Sequence, residues 1–320
     1  MNNDKANVAM VGCGYWGKNL VRNFHSIGHL SAVCDPNPET ADFMSREYDV
    51  PARSWGEILQ DSTINAVGLA VPAELHAEYA MAALEAGKNV YVEKPLALDV
   101  ADAQKLVAKA DERGLVLMVG HLLQYHPVFL ALKTLVQDGK VGKLHYIYSN
   151  RLSLGKVRRE ENVLWSFAPH DISMVLALVG EEPTHVAASG NVMIDAVHDN
   201  TTVQLSFANG VDAHIYSSWT HPFKEQRLVV IGDKGMIVFE DSKPWEEKLA
   251  VYAHTFDQGE FETVPVRAEV EFVDVPQGEP LKNECQHFVD CILNGQTPRT
   301  DGHEGLAVLK VLDAATKALG

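Results

Sequence analysis

The 320-residue sequence predicts an α/β chain, with an N-terminal doubly wound parallel sheet and a C-terminal α+β domain on a mostly antiparallel sheet. Three observations predict it. Over roughly the first 120 residues, short apolar runs alternate with amphipathic helical stretches, the pattern of parallel strands joined by crossover helices. The loop Gly12-Cys13-Gly14-Tyr15-Trp16-Gly17 lies between the first apolar run and the first helix. Beyond Gly120 the runs alternate and are separated by turns, among which Asn209-Gly210 is the strongest kind of short hairpin signal.

Residues 7–11 read as the first strand and 17–26 as its helix. Residues 30–35 read as the second strand, followed by a helix over 38–47 that Pro36 and Pro38 help to start. A buried strand over 66–71 leads to a helix over 73–86 that Gly87 closes. Residues 89–92 run into Glu93-Lys94-Pro95, residues 100–113 are helical with Gly114 behind them, and 116–120 are strand. A domain over 1–122 follows, close to the usual domain size. The second domain, 123–320, reads as a helix over 127–138, a long strand over 144–153 and a helix over 169–179. Strands then run from 184 to about 275, with Asp233-Lys234-Gly235 turning a second hairpin. Two helices, 281–293 and 303–319, end the chain; Asp301 caps the last, which is placed to pack back on the first domain.

A formal charge of -16, from 43 acidic against 27 basic side chains, repels nucleic acid, so no such partner is expected. No apolar stretch reaches the roughly 18 residues that span a bilayer, so no membrane partner is expected. The four cysteines show neither CxxC spacing nor a disulfide framework, and a reduced, cytoplasmic protein is expected. Asn200-Thr201-Thr202 matches a glycosylation acceptor by coincidence on that reading. His121 and His126 are five apart, off the four-residue spacing of a helical zinc pair, and no metal is expected.

The glycine loop follows a strand and opens a helix, the context in which its glycines permit a tight turn and let backbone amides approach a pyrophosphate. Asp35 ends the second strand about twenty residues on, where a carboxylate accepts both adenosine ribose hydroxyls and repels a 2′-phosphate. NAD is therefore expected as cofactor over NADP. Pro72 and His76 follow the next buried strand and are expected at the same cofactor edge of the sheet. Glu93-Lys94-Pro95 stops a buried strand with two charges, which packing does not explain, because Lys and Glu are seldom buried unpaired.

With the glycine loop, the block Ala86-Gly87-Lys88-Asn89-Val90-Tyr91-Val92-Glu93-Lys94-Pro95 and His170-Asp171-Ile172-Ser173, the chain resembles the Gfo/Idh/MocA family of NAD(P)-dependent oxidoreductases over nearly its whole length. The resemblance implies a Rossmann domain followed by an open sheet of about six strands whose outer face builds homodimers or homotetramers. It places Gly12, Gly14, Tyr15, Trp16, Gly17, Asp35, Pro72, His76, Glu93, Lys94 and Gln124 against the cofactor. Lys94 then sits between substrate hydroxyl and nicotinamide, Glu93 holds the nicotinamide ribose, Pro95 fixes the bend, and His170 is the acid or base. Imidazole suits that role because it titrates near neutrality.

Ser166 stands where many relatives carry an aspartate four positions before the histidine, which argues against a simple inositol or glucose substrate. The segment from Arg151 to His170 is similar to the nucleotide-sugar branch of the family. Arg151, Lys156, Arg158 and Arg159 concentrate positive charge there, and guanidinium forks suit a diphosphate or carboxylate. Arg158, Arg159, Asn162 and Trp165, with Lys94 and His170, are the expected substrate contacts. The implied reaction takes a hydride from C3 of UDP-N-acetylglucosamine or its uronate. A keto-sugar-nucleotide reductase and an NAD-binding regulator without turnover are the alternatives.

Overall fold

The computed structural model describes residues 5–155, 157–158, 161–194, 196–259 and 261–320, so Lys156 and Arg159, singled out above, lie outside the described residues. The chain divides into two compact units. One comprises the residues up to Tyr125 with Glu279–Lys310, the other His126–Gly278 with Val311–Gly320.

The first unit begins with β1 (Val8–Val11), α1 (Gly17–Ser26), β2 (Leu30–Cys34), α2 (Pro38–Tyr48) and α3 (Trp55–Gln60). It continues with β3 (Ala66–Leu69), α4 (His76–Glu85), β4 (Asn89–Val92), α5 (Val100–Arg113) and β5 (Leu117–Val119). The strands form a parallel sheet in the order β2-β1-β3-β4-β5. Its strand order switches direction beside β1, and the crevice at such a point, at the carboxyl ends of the strands, is where open α/β sheets bind ligands. The glycine loop, Asp35, Val71 and Glu93 all follow strands of this sheet, so its topology gathers them at that edge. The inner strands β1 and β3 are apolar and buried along their whole length, as a sheet covered on both faces requires.

The sequence reading has no helix at α3. Its start is a capping box, in which the Ser54 hydroxyl accepts from the Glu57 N–H at 3.3 Å and the Ser54 N–H donates back to the Glu57 carboxylate. Six residues containing Gly56 carry too little periodicity to be read as a helix.

The sequence reading divides the chain at 122/123 with the last helix packing back on the first domain; in the structure the first unit includes α8 (Pro280–Asn294) as well as the start of α9 (Gly302–Leu319). The buried face of α8 includes Leu281, Cys285, Phe288, Val289 and Ile292. Phe288 meets Phe24 and Tyr91 edge-on, with ring centroids 6.2 and 5.9 Å apart, and Arg22 pairs with Glu279. An apolar stripe this wide must be buried against something, and the helix-covered face of the parallel sheet takes it.

The second unit contains α6 (Pro127–Gln137), β6 (Leu144–Leu154), α7 (Val163–Val179), β7 (His185–Asn191), β8 (Asn200–Ser206) and β9 (Asp212–Ser218). β10 (Thr220–Gly232), β11 (Gly235–Glu240), β12 (Leu249–Tyr252), β13 (Thr255–Gln258), β14 (Thr263–Val266) and β15 (Val270–Phe272) follow. Among the described residues, eight strands form one open sheet in the order β15-β12-β11-β10-β6-β9-β8-β7, where the resemblance implied about six. Only the β6–β9 pair is parallel, so the sheet is mostly antiparallel. β9 alternates as a one-sided sheet requires, with Ala213, Ile215 and Ser217 buried and His214 and Tyr216 half-buried.

The helix expected over 169–179 begins instead at Val163. The side chain of Asn162 caps it by accepting the Trp165 N–H at 3.1 Å, and Pro169 lies inside. Pro169 has no N–H to donate to the carbonyl of Trp165 and its ring crowds that carbonyl, a local cost that the helix carries. The apolar residues Val163, Leu164 and Ala168 hold the preceding turns in the core. Among the described residues, no helix is long and apolar enough to cross a membrane.

Candidate active site

At the amino end of α1, Gly12 has φ +84°, and a Cβ on it would lie 2.6 Å from the carbonyl oxygen of Ala70. A Cβ on Gly17 would lie 1.9 Å from the carbonyl oxygen of Gly12. Both positions therefore require glycine for the turn and the helix packing. Gly14 differs: a Cβ there meets nothing within 4 Å, and the residue is exposed. Its missing side chain leaves room for an outside group to approach the backbone. No side chain caps α1 and no acidic residue sits in its first turn, so the positive end of the helix faces that space. These features fit a dinucleotide pyrophosphate. Tyr15 is 88% and Trp16 40% exposed beside it.

Asp35 stands one residue beyond β2, with one carboxylate oxygen 2.7 Å from the Cys13 N–H and the other 2.9 Å from the Asn37 N–H. Backbone donors thus fix the carboxylate next to the glycine loop, and each oxygen keeps a lone pair for a hydroxyl. Burial, with the Asp35 charge second, pushes the Cys13 thiol up to about 12, so it stays protonated and unreactive.

At the end of β4, Glu93 is held through one oxygen by the Trp16 indole N–H at 2.5 Å and by the Tyr91 hydroxyl at 3.1 Å. Burial raises the Glu93 pKa, and those two donors pull it back. The Lys94-Pro95 bond is cis. A Cβ on Gly120, just after β5, would lie 2.8 Å from the Tyr91 hydroxyl and 2.9 Å from the Glu93 carboxylate, so a side chain there would displace one of these two groups.

His76 is buried, with Nδ1 2.6 Å from the Pro95 carbonyl oxygen and Nε2 2.9 Å from that of Val71. Both ring nitrogens face the backbone of the two loops that follow β3 and β4. His76 is thus packed between these two loops, at the edge of the sheet where the sequence reading expects a cofactor contact. Pro72 follows Val71 at the start of the short turn before α4. Gln124 is buried in the turn after β5, and His121 is 2.6 Å from Glu304.

In the second unit, His170 lies directly after Pro169 within α7. Its neighbour Asp171 is buried and takes two bonds from the Arg151 guanidinium, at 2.5 and 3.1 Å, and one from the Ser149 hydroxyl at 2.6 Å. Arg151 is thereby committed to α7 and leaves the basic cluster predicted for substrate. Arg158 pairs with Glu161 at 2.6 Å, and Arg159 and Lys156 lie outside the described residues. Asn162 serves as the α7 cap, and the Trp165 indole N–H donates to the Thr316 hydroxyl at 3.0 Å, so both expected substrate contacts have structural duties. Ser166 is buried. His126, at the start of α6, accepts the Val128 N–H at 3.2 Å and lies 3.4 Å from Asp241. Among the described residues, no group of three or more His, Cys, Asp or Glu is arranged to hold a metal ion.

Two participants escaped the sequence reading. Tyr91 sits in the apolar run of β4, and its hydroxyl also lies 3.0 Å from Glu284, which is buried on α8. The signal for Glu284 was its place on the apolar stripe with Leu281, Cys285 and Phe288, where a carboxylate is out of pattern.

A parallel sheet with an open glycine loop, a carboxylate fixed beside that loop and a Glu-Lys-Pro turn at the same edge has the features of a dinucleotide-dependent oxidoreductase. The chain matches the oxidoreductase family with an NAD-binding Rossmann fold over residues 6–121 and the GFO/IDH/MocA C-terminal domain over residues 129–238. It belongs to the Gfo/Idh/MocA family. It is 29% identical to the UDP-N-acetylglucosamine 3-dehydrogenase of Acidithiobacillus ferrooxidans over 94% of this chain and 93% of that one. A crystal structure of that enzyme superimposes with a TM-score of 0.86 at 25% identity, covering 98% of this chain and 97% of that one. It is also 26% identical to an inositol 2-dehydrogenase of Rhizobium meliloti over 97% of this chain and 96% of that one.

Proposed function

We propose that this oxidoreductase uses NAD to oxidise C3 of a UDP-linked N-acetylhexosamine, UDP-N-acetylglucosamine or its uronate, to the 3-keto sugar. The observation that carries the reading is the likeness to the UDP-N-acetylglucosamine 3-dehydrogenase along nearly the whole of both chains. Ser166 supports it over the inositol reading, because the carboxylate that polyol-oxidising relatives place there is absent. The carboxylate of Asp35, held beside the glycine loop, favours ribose hydroxyls over a 2′-phosphate and hence NAD over NADP.

The dinucleotide supplies the hydride acceptor. The protein must take the hydroxyl proton as that hydride departs, and it must hold the carbinol in place. In this reading His170 accepts the proton and Lys94 donates a hydrogen bond to the reacting oxygen, stabilising the charge that develops on it. Glu93, fixed by Trp16 and Tyr91, holds the nicotinamide ribose. Arg158, and Arg159 outside the described residues, are the proposed partners for the anionic part of the substrate.

Incubating the purified protein with NAD and UDP-N-acetylglucosamine, its uronate or myo-inositol tests the reading. Growth of the reduced-nicotinamide absorbance with a UDP-sugar alone supports it, and turnover of inositol alone defeats it. NADH oxidation by a keto-sugar nucleotide with no forward reaction would favour a reductase instead. The half-buried rings of the large sheet, with His214 stacked on Tyr148 at 5.4 Å, support a homodimer or homotetramer built on that face. Light scattering on the protein in solution checks this.

A further inference from the structure

We propose that Glu284 is a positioning residue: its carboxyl group donates a hydrogen bond to the Tyr91 oxygen, which turns the Tyr91 O–H onto Glu93. The consequence for the cofactor rests on the reading of Glu93 as a nicotinamide-ribose contact.

The geometry forces a choice of proton. The Tyr91 oxygen lies 3.1 Å from one Glu93 oxygen and 3.0 Å from Glu284 Oε2. A phenol has one proton, and two ionised carboxylates can only accept, so one of the two contacts would set lone pair against lone pair. One carboxyl group must therefore carry a proton. Glu93 has the Trp16 indole N–H on the oxygen that faces Tyr91, and two donors there favour its charged form. Glu284 is fully buried, and its Oε1 has no hydrogen-bond partner among the described residues. A charge on Glu284 would go largely uncompensated, whereas a neutral acid donates to Tyr91 and leaves only a carbonyl oxygen unpaired.

The surroundings agree. Facing Glu284 are Tyr91 and Glu93 from β4 and the turn after it, Tyr125 after β5, Cys285 on its own helix and Glu304 on α9. The Tyr125 hydroxyl is engaged with Thr300 at 2.9 Å, and Glu304 is 2.6 Å from His121. Burial first, then the negative charge of Glu93, holds the Glu284 pKa well above the carboxylate range. In alkaline solution the proton leaves, Tyr91 is drawn toward Glu284, and Glu93 loses one of its two donors.

The test reads the Trp16 indole N–H resonance, which reports the bond to Glu93, during a pH titration of cofactor-free protein. The wild-type resonance is expected to hold through neutrality and to move in an alkaline transition. Glu284→Gln, whose amide still donates to Tyr91, should keep the neutral position and lose the transition. Tyr91→Phe should shift the resonance at every pH, and it keeps the test decisive if Glu284→Gln does not fold. The infrared difference between wild type and Glu284→Gln at neutral pH should show loss of a protonated-carboxyl stretch. An alkaline transition that survives in both variants, or loss of an ionised-carboxylate stretch, overturns the proposal. With cofactor present, Tyr91→Phe should raise the NAD dissociation constant on the order of tenfold. Wild type that shows the expected indole and infrared behaviour but binds no NAD would defeat the cofactor reading and leave Glu284 as assigned.

Discussion

The Asp35 carboxylate accepts the backbone N–H of Cys13 at 2.7 Å, which fixes the end of β2 against the glycine loop. Asp35→Ala removes the proposed ribose acceptor and, with it, the proposed charge against a 2′-phosphate. NAD affinity is expected to fall on the order of tenfold or more, with the NADP-to-NAD preference rising by at least as much. Initial rates with the two cofactors check this; an unchanged preference would remove Asp35 from cofactor selection.

Gly14 and Gly17 share one loop but should respond differently to alanine. Gly14→Ala adds a methyl into open space, so the melting temperature should hold while NAD affinity drops. Gly17→Ala drives its Cβ to within 1.9 Å of the Gly12 carbonyl oxygen, and a loss of about 1–3 kcal/mol of stability is expected. Thermal unfolding and NAD titration of the two variants separate the effects.

Lys94→Ala and His170→Ala are each expected to lower kcat by roughly 100-fold or more, since the proposed reaction gives each a proton-transfer or polarising role. Circular dichroism must show both variants folded. Retention of most wild-type activity by either one would withdraw its assigned role.

Arg151 and Arg158 stand seven positions apart in sequence yet differ in setting. Breaking the buried Arg151–Asp171 pair by Arg151→Ala should cost about 3 kcal/mol or more, since Asp171 is left charged and buried. Arg158→Ala removes a half-exposed pair with Glu161 and should cost no more than about 0.5–1 kcal/mol. Urea unfolding of both variants gives the comparison.

Burial holds the pKa values of His76, His214 and His287 below the ordinary imidazole value. The unfolded chain takes up these protons near pH 6.5, whereas the folded rings stay neutral to lower pH. Stability is therefore expected to fall as pH drops below about 6.5 and to stop falling on this account once the folded rings protonate too. Urea unfolding across that range tests the slope, and His76→Gln should reduce it.

Local signals were legible wherever a few neighbouring residues determine the outcome. Alternation of apolar runs and helices gave the parallel sheet, and Gly12, Gly14 and Gly17 marked a loop that the structure shows to need glycine at its first and last positions. Pro169 misled because a proline reads as a boundary in sequence, while the burial of Val163 and Leu164 carries α7 through it. The Ser54–Glu57 capping box was present in the sequence but too brief to outweigh the missing periodicity of α3.

The fold class, and the loops that gather at the carboxyl edge of the parallel sheet, are written locally in the sequence, because strand period, turn chemistry and glycine spacing act over a handful of positions. Which charge meets which follows from packing across distant parts of the chain. Arg151 turns inward to Asp171, His76 closes on the Val71 and Pro95 carbonyls, and Tyr91 meets Glu284 from 193 positions away. Such pairings depend on burial, which removes water as the alternative partner and leaves each polar group to be satisfied by whatever the packing brings within reach.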